Sequence, residues 1–165
     1  GENVGEIGRG LCVFLGVVST DTEKDISWLA EKIINLRIFD DSDGKMNLSV
    51  LDTTGEILIV SQFTLCGDCK RGRRPSWVNA AEPSFANVMY EKFVSEVSSR
   101  GIKTATGVFQ ADMMVDISND GPVTLMIDSI VLPFLIYFSN TQFLQRLTMC
   151  LHLNFNPLFK AMYET

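Results

Sequence analysis

Histidine is nearly missing from this chain: its 165 residues include 1, His152. A zinc site built on Cys66-Gly67-Asp68-Cys69 would need two further ligands, and one distant histidine does not supply them. Positive charge is short as well. Against 20 Asp and Glu stand 14 Lys and Arg, a formal net charge of −6 that argues against broad coating of nucleic acid. No secretory signal precedes the 4 cysteines (Cys12, Cys66, Cys69 and Cys150), so a reduced, cytoplasmic setting is expected rather than two disulfides. A membrane span is lacking too: Pro133 and Ser139-Asn140-Thr141-Gln142 interrupt the most apolar stretch, and Arg146 follows it. The chain does not open on Met, and Gly1-Glu2-Asn3-Val4-Gly5 reads as the inside of a hairpin, so a truncated sequence is expected.

What remains suits a single globular domain. The composition is 46% hydrophobic and 21% charged, enough to bury a core. After the turn Gly8-Arg9-Gly10, Leu11 to Val18 is a near-continuous apolar run, which suits a strand covered on both faces. Thr20-Asp21-Thr22-Glu23 matches a capping box. Ile26, Leu29, Ala30, Ile33 and Ile34 follow at helical spacing, leaving Trp28 off the stripe and partly exposed. A second helix is expected from Pro83, with Phe85, Val88, Met89, Phe93 and Val97 as its apolar face and Gly101 as its stop. The acidic turn Asp40 to Lys45 fails as a calcium loop. Counting back from Gly44 puts Phe39 at the first ligand position, and no acidic residue closes the loop. Residues 1–129 are therefore expected to form the domain. Residues 130–165, rich in aromatics without a steady helical period, read as an atypical apolar appendage.

Chemistry is expected where Glu56-Ile57-Leu58-Ile59-Val60 gives way to Ser61-Gln62-Phe63-Thr64-Leu65, a buried strand ending in hydroxyls and an amide. A tight turn at Asn119-Asp120-Gly121-Pro122-Val123-Thr124 feeds the last clear strand. The loop after residue 65 carries Lys70, Arg71, Arg73 and Arg74, the dense positive cluster of an acidic chain. Two readings stay open for it, a solvated loop or a grip on RNA phosphate. The cysteine pair leads into this basic loop rather than starting a helix, so incidental thiols are expected over a redox pair.

In order and spacing these segments resemble the D-aminoacyl-tRNA deacylase family across about residues 5–128. The others that match are Arg37-Ile38-Phe39, Gly44-Lys45-Met46-Asn47, Arg74-Pro75-Ser76 and Gly107-Val108-Phe109-Gln110-Ala111-Asp112-Met113. The resemblance implies a mixed α/β fold in β/β/α layers, a homodimer, and no metal or other cofactor. It implies hydrolysis of the ester joining a D-amino acid, or glycine mischarged on tRNA(Ala), to the 3′ end of tRNA. Ser61, Gln62, Phe63 and Thr64 would form the catalytic segment. Gly121 and Pro122, joined by a cis bond, would reject L side chains in the partner subunit's pocket, beside Asn119. Phe109 and Met113 would line the adenosine and aminoacyl pocket, although plain core is an equal reading for two apolar residues. Thr64 is either a nucleophile, with no base near it in sequence, or a bystander to backbone N–H donors at Phe63 and Thr64. Two departures stand out, the absent first family strand and the unusual ending. They leave a second class of function open, a non-catalytic dimeric RNA- or DNA-binding module on the same fold.

Overall fold

The computed structural model describes residues 1–119, 123–129, 148–154 and 159–163. Its strands are β1 (Glu2–Ile7), β2 (Gly10–Gly16), β3 (Phe39–Asp40), β4 (Met46–Leu48), β5 (Glu56–Ser61), β6 (Thr104–Thr106), β7 (Met113–Asp116), β8 (Thr124–Asp128), β9 (Thr148–Asn154) and β10 (Phe159–Tyr163). The helices are α1 (Glu23–Ile34) and α2 (Pro83–Ser99), and a single 3-10 turn covers Phe63–Cys66. Five strands form one sheet in the order β6-β5-β2-β9-β8, and three form another in the order β1-β10-β7.

The apolar run at Leu11 is covered on both faces, as its composition predicts. Side chains alternate along a strand, so Leu11, Val13 and Leu15 turn one way, joining Ile57 and Ile59 of the parallel neighbour β5. That face meets Ile26, Leu29 and Ile33 of α1 and Met89, Phe93 and Val97 of α2. Cys12, Leu58 and Val60 turn the other way, towards Ile7 of β1 and Met113 and Val115 of β7. Helices, large sheet and small sheet therefore stack as α/β/β layers, the expected fold class.

Local details differ from the sequence expectation in two places. The N-cap of α1 is Thr22, not Thr20. Asp25 accepts hydrogen bonds from the Thr22 backbone N–H at 2.8 Å and its hydroxyl at 2.7 Å, while Asp21 is drawn off to close a turn onto the Val18 N–H. On α2, Tyr90 is buried while Phe85 and Val88 are exposed, because the hydroxyl of Tyr90 finds the Ile59 carbonyl at 2.8 Å. The acidic turn is a hairpin staple. Asp41 accepts the Asn47 amide and the backbone N–H groups of Asp43 and Lys45, bonds that lower its pKa, with Asn47 contributing most.

Residues 148–154 and 159–163, within the stretch that the sequence sets apart, supply β9 and β10. Strand β9 pairs antiparallel with both β2 and β8, and β10 with both β1 and β7. Gly121 and Pro122 lie outside the described residues.

Removing residues 130–165 is expected to leave α1 and α2 folded on β6-β5-β2, while β1, β7 and β8 lose strand partners. Circular dichroism should keep the helical signal and show melting lowered by more than about 5 °C. A truncated chain melting as high as the intact one would show that β9 and β10 add no pairing energy. Phe93→Ala, at a fully buried position, is expected to cost about 3–5 kcal/mol in urea denaturation.

Candidate functional site

The large sheet stops being apolar at the carboxyl end of β5. Ser61 is half-buried, and the Gln62 N–H donates to the Leu15 carbonyl at 2.8 Å, carrying the parallel ladder one residue past the strand. The chain then tightens into its 3-10 turn, whose first hydrogen bond runs from the Leu65 N–H to the Gln62 carbonyl at 3.2 Å. The N–H groups of Phe63 and Thr64 precede that bond, so the turn leaves them without a partner of its own. Gly16 makes this placement possible. A Cβ there would meet the Leu65 Cβ at 3.0 Å and the Gln62 carbonyl oxygen at 3.2 Å, pushing the turn off β2.

Above this strand end lies a cavity of about 540 Å³. Val60, Ser61, Gln62 and Phe63 form its floor, and Met113 and Val115 of β7 form one side. Small residues at the start of α2, among them Ala81 and Ala86, leave the opposite side open enough for a ligand. The turn Phe109 to Asp112 closes the rim. Phe109 is braced from beneath by Tyr90, with ring centroids 6.0 Å apart. The Tyr90 hydroxyl is pushed up to about 12 by burial, so it stays protonated and keeps donating to Ile59.

The structure thus brings Ser61, Gln62, Phe63, Phe109 and Met113 to one cavity. Other candidates fall elsewhere. The Thr64 side chain is outside the lining, and its hydroxyl accepts a hydrogen bond from the Gln62 amide. Asn119 follows β7 and donates to the Thr124 hydroxyl at 3.1 Å, outside the cavity. Lys70, Arg71, Arg73 and Arg74 are exposed on a loop whose base is clamped by two backbone bonds between Asp68 and Ser76, at 2.8 and 3.0 Å. That loop begins where the 3-10 turn ends, and none of its four positive residues lines the cavity. Beside it, Trp77 contacts Phe63 with ring centroids 5.9 Å apart.

Two polar wall residues were missed by sequence reasoning, Gln110 and Asp112. Asp112 is the one charged side chain in the lining. Their signal was the matched segment around them, from which only the apolar Phe109 and Met113 were taken. Cys66 does not suit redox chemistry. Cys66 is buried, and its thiol is pushed up to about 11, first by burial and then by Asp21 and Asp128, so it is not a ready thiolate. Among the described residues, no helix is long and apolar enough to cross a membrane.

The family model described as D-Tyr-tRNA(Tyr) deacylase matches residues 1–128, a span that ends at β8. The D-aminoacyl-tRNA deacylase of Desulfotalea psychrophila is 60% identical over 126 residues, covering 76% of this chain and 85% of that protein. A Bacillus subtilis protein described as an inactive D-aminoacyl-tRNA deacylase is 57% identical over 128 residues, covering 78% and 97%. Among solved structures, a c-Myc DNA unwinding element binding protein superposes with a TM-score of 0.67 at 42% identity, covering 71% of this chain and 80% of that one. With a cavity on the strand end that the sequence singled out, and a family model spanning 128 residues of 165, the chain belongs to the D-Tyr-tRNA(Tyr) deacylase family.

Proposed function

We propose that this protein hydrolyses the ester between a D-amino acid and the 3′-terminal ribose of tRNA, removing mischarged residues before translation uses them. Glycine mischarged on tRNA(Ala) is a second substrate in this reading, and the protein acts in the cytoplasm as a homodimer. The observation that carries the proposal is the cavity at the end of β5, which pairs open backbone donors with an apolar wall. Deacylase relatives at up to 60% identity support the ester chemistry.

The reaction needs a water to attack the ester carbonyl, a place for the negative charge on its oxygen, and a proton for the leaving ribose 3′-oxygen. The N–H groups of Phe63 and Thr64 are the donors for that oxygen, held in place by the turn and by Gly16. Thr64 is a poor nucleophile here. Its hydroxyl is engaged by Gln62, and the one cavity carboxylate, Asp112, belongs to the opposite rim. The adjacent 2′-hydroxyl of the terminal ribose then takes the water's proton as it gives its own to the leaving 3′-oxygen, and Ser61 and Gln62 position the groups around it. In this reading Gly121 and Pro122 exclude L side chains by steric rejection. In this reading residues 1–129 carry the site, and β9 and β10 complete the sheets that hold it.

A second reading, a non-catalytic dimeric RNA- or DNA-binding module, is favoured by two particular relatives. One is described as inactive, and the other as a DNA unwinding element binding protein. Turnover of D-aminoacyl-tRNA by a preparation verified as folded separates the two.

Three outcomes are expected. Thr64→Ala should stay within about 10-fold of wild type in single-turnover deacylation, against the ~10²–10³ that losing an oxyanion donor costs. A tRNA ending in 2′-deoxyadenosine should be hydrolysed far more slowly. A folded, tRNA-binding but dead Thr64→Ala, beside normal turnover of the deoxy substrate, would restore Thr64 as nucleophile. Neutralising Lys70, Arg71, Arg73 and Arg74 together should weaken tRNA binding and flatten its salt dependence by up to about 0.7 log units per lost contact. An unchanged slope would assign the loop to solvent.

A further inference from the structure

Phe63 and Trp77 are large apolar side chains that the fold leaves open to water, 57% and 38% exposed. Their rings meet with centroids 5.9 Å apart and planes tilted by 59°. Single surface aromatics need no explanation, but this pair is held in place. The indole edge of Trp77 lies over Gly67, where a Cβ would come within 3.1 Å of Nε1 and 3.4 Å of Cδ1. The clamp between Asp68 and Ser76 fixes the residue before Trp77, and the Trp77 carbonyl accepts the Ala80 N–H at 3.0 Å. An aromatic side chain fixed from three directions and still open to water is a preformed platform for a flat partner.

Its two neighbours say what that partner is. Phe63 also lines the cavity at the end of β5, so the ring pair starts at the cavity floor and runs on to Trp77, which is not part of the lining. On its other side Trp77 directly follows the clamped loop that carries Lys70, Arg71, Arg73 and Arg74, in a chain whose net charge is −6. Aromatic faces beside a cationic segment are the combination that holds single-stranded nucleic acid. Cations take the phosphates, and rings take the bases whatever their sequence. We infer that Trp77 is a stacking platform, outside the cavity, for the base that precedes the terminal nucleoside of an RNA 3′ end. This rests on the proposed deacylation only for the identity of the ligand, a 3′-aminoacylated RNA end.

The test compares non-hydrolysable D-aminoacyl 3′-amide analogues of two dinucleotides. One is cytidylyl-adenosine, and the other keeps its phosphate and sugar but lacks the cytosine base. Wild type should bind the first more tightly by about 5- to 100-fold, and guanine in place of cytosine should keep that gain, since every base offers a face to stack on. Trp77→Leu should lose the gain, and Trp77→Phe should retain most of it, which a merely structural role would not produce. In Trp28→Phe, where Trp77 is the remaining tryptophan, the base-bearing analogue should quench the indole emission and the abasic one should not. Neutralising the four loop cations should flatten the salt dependence for both analogues and leave their ratio unchanged. Equal binding of the two analogues by wild type, a gain that survives in Trp77→Leu, or binding of neither would each overturn the assignment. A Trp77→Leu protein that keeps the gain but loses self-association in sedimentation would give this face to a second copy of the chain. Deacylation of the corresponding ester substrates is measured in parallel. A protein with the Trp77-dependent gain that turns over no ester keeps this inference and loses the enzymatic one, and turnover without the gain does the reverse.

Discussion

Strands β2 and β5 run parallel with no face turned to water, and that double burial governs everything placed around them. Each must be apolar along its length, so alternate side chains serve two cores at once, Leu11 and Ile57 below the helices, Cys12 and Leu58 beneath the small sheet. Where the double cover ends, at Ser61, polar groups become affordable. The chain uses that boundary to turn, at the floor of a cavity whose other walls come from both flanking layers. The site exists because two layers end at the same height.

In the proposed mechanism the donors are main-chain atoms, so it leans little on the side chains usually sought in a hydrolase. Only one charged group lines the cavity, and the sole histidine lies on β9, in register with Cys12. A relative described as a D-aminoacyl-tRNA deacylase and one described as an inactive deacylase are 60% and 57% identical to this chain over the matched residues, so overall identity does not sort them. In such a site a glycine such as Gly16, which only makes room, matters as much as any polar group.

The layers were legible in the sequence wherever burial imposed a period. Leu11 to Val18 could only be a strand covered twice, and the stripe from Ile26 to Ile34 could only be a helix lying on it. Caps were less legible, since Thr20 and Thr22 offer the same hydroxyl, and only the buried turn at Asp21 decides between them. The floor of the cavity was readable from the change of polarity at Ser61. Its rim was not, because Gln110 and Asp112 reach the cavity through a turn whose direction no local pattern encodes. The strand partners of β7 and β8 were equally hidden. Residues 148–154 do alternate, with Met149, Leu151 and Leu153 set between Thr148, Cys150, His152 and Asn154, but they follow an irregular aromatic stretch, and alternation alone does not name a partner strand.

The register of β10 on β1 sets Glu2 opposite Tyr163. These partners lie far apart in the chain, so β1 pairs only after a long loop has closed, slowly and at a high entropic cost. Until that loop closes, β1 offers an unpaired edge to strands of other copies. A species with the helical core formed and this edge still open is the one in which copies of the chain would aggregate.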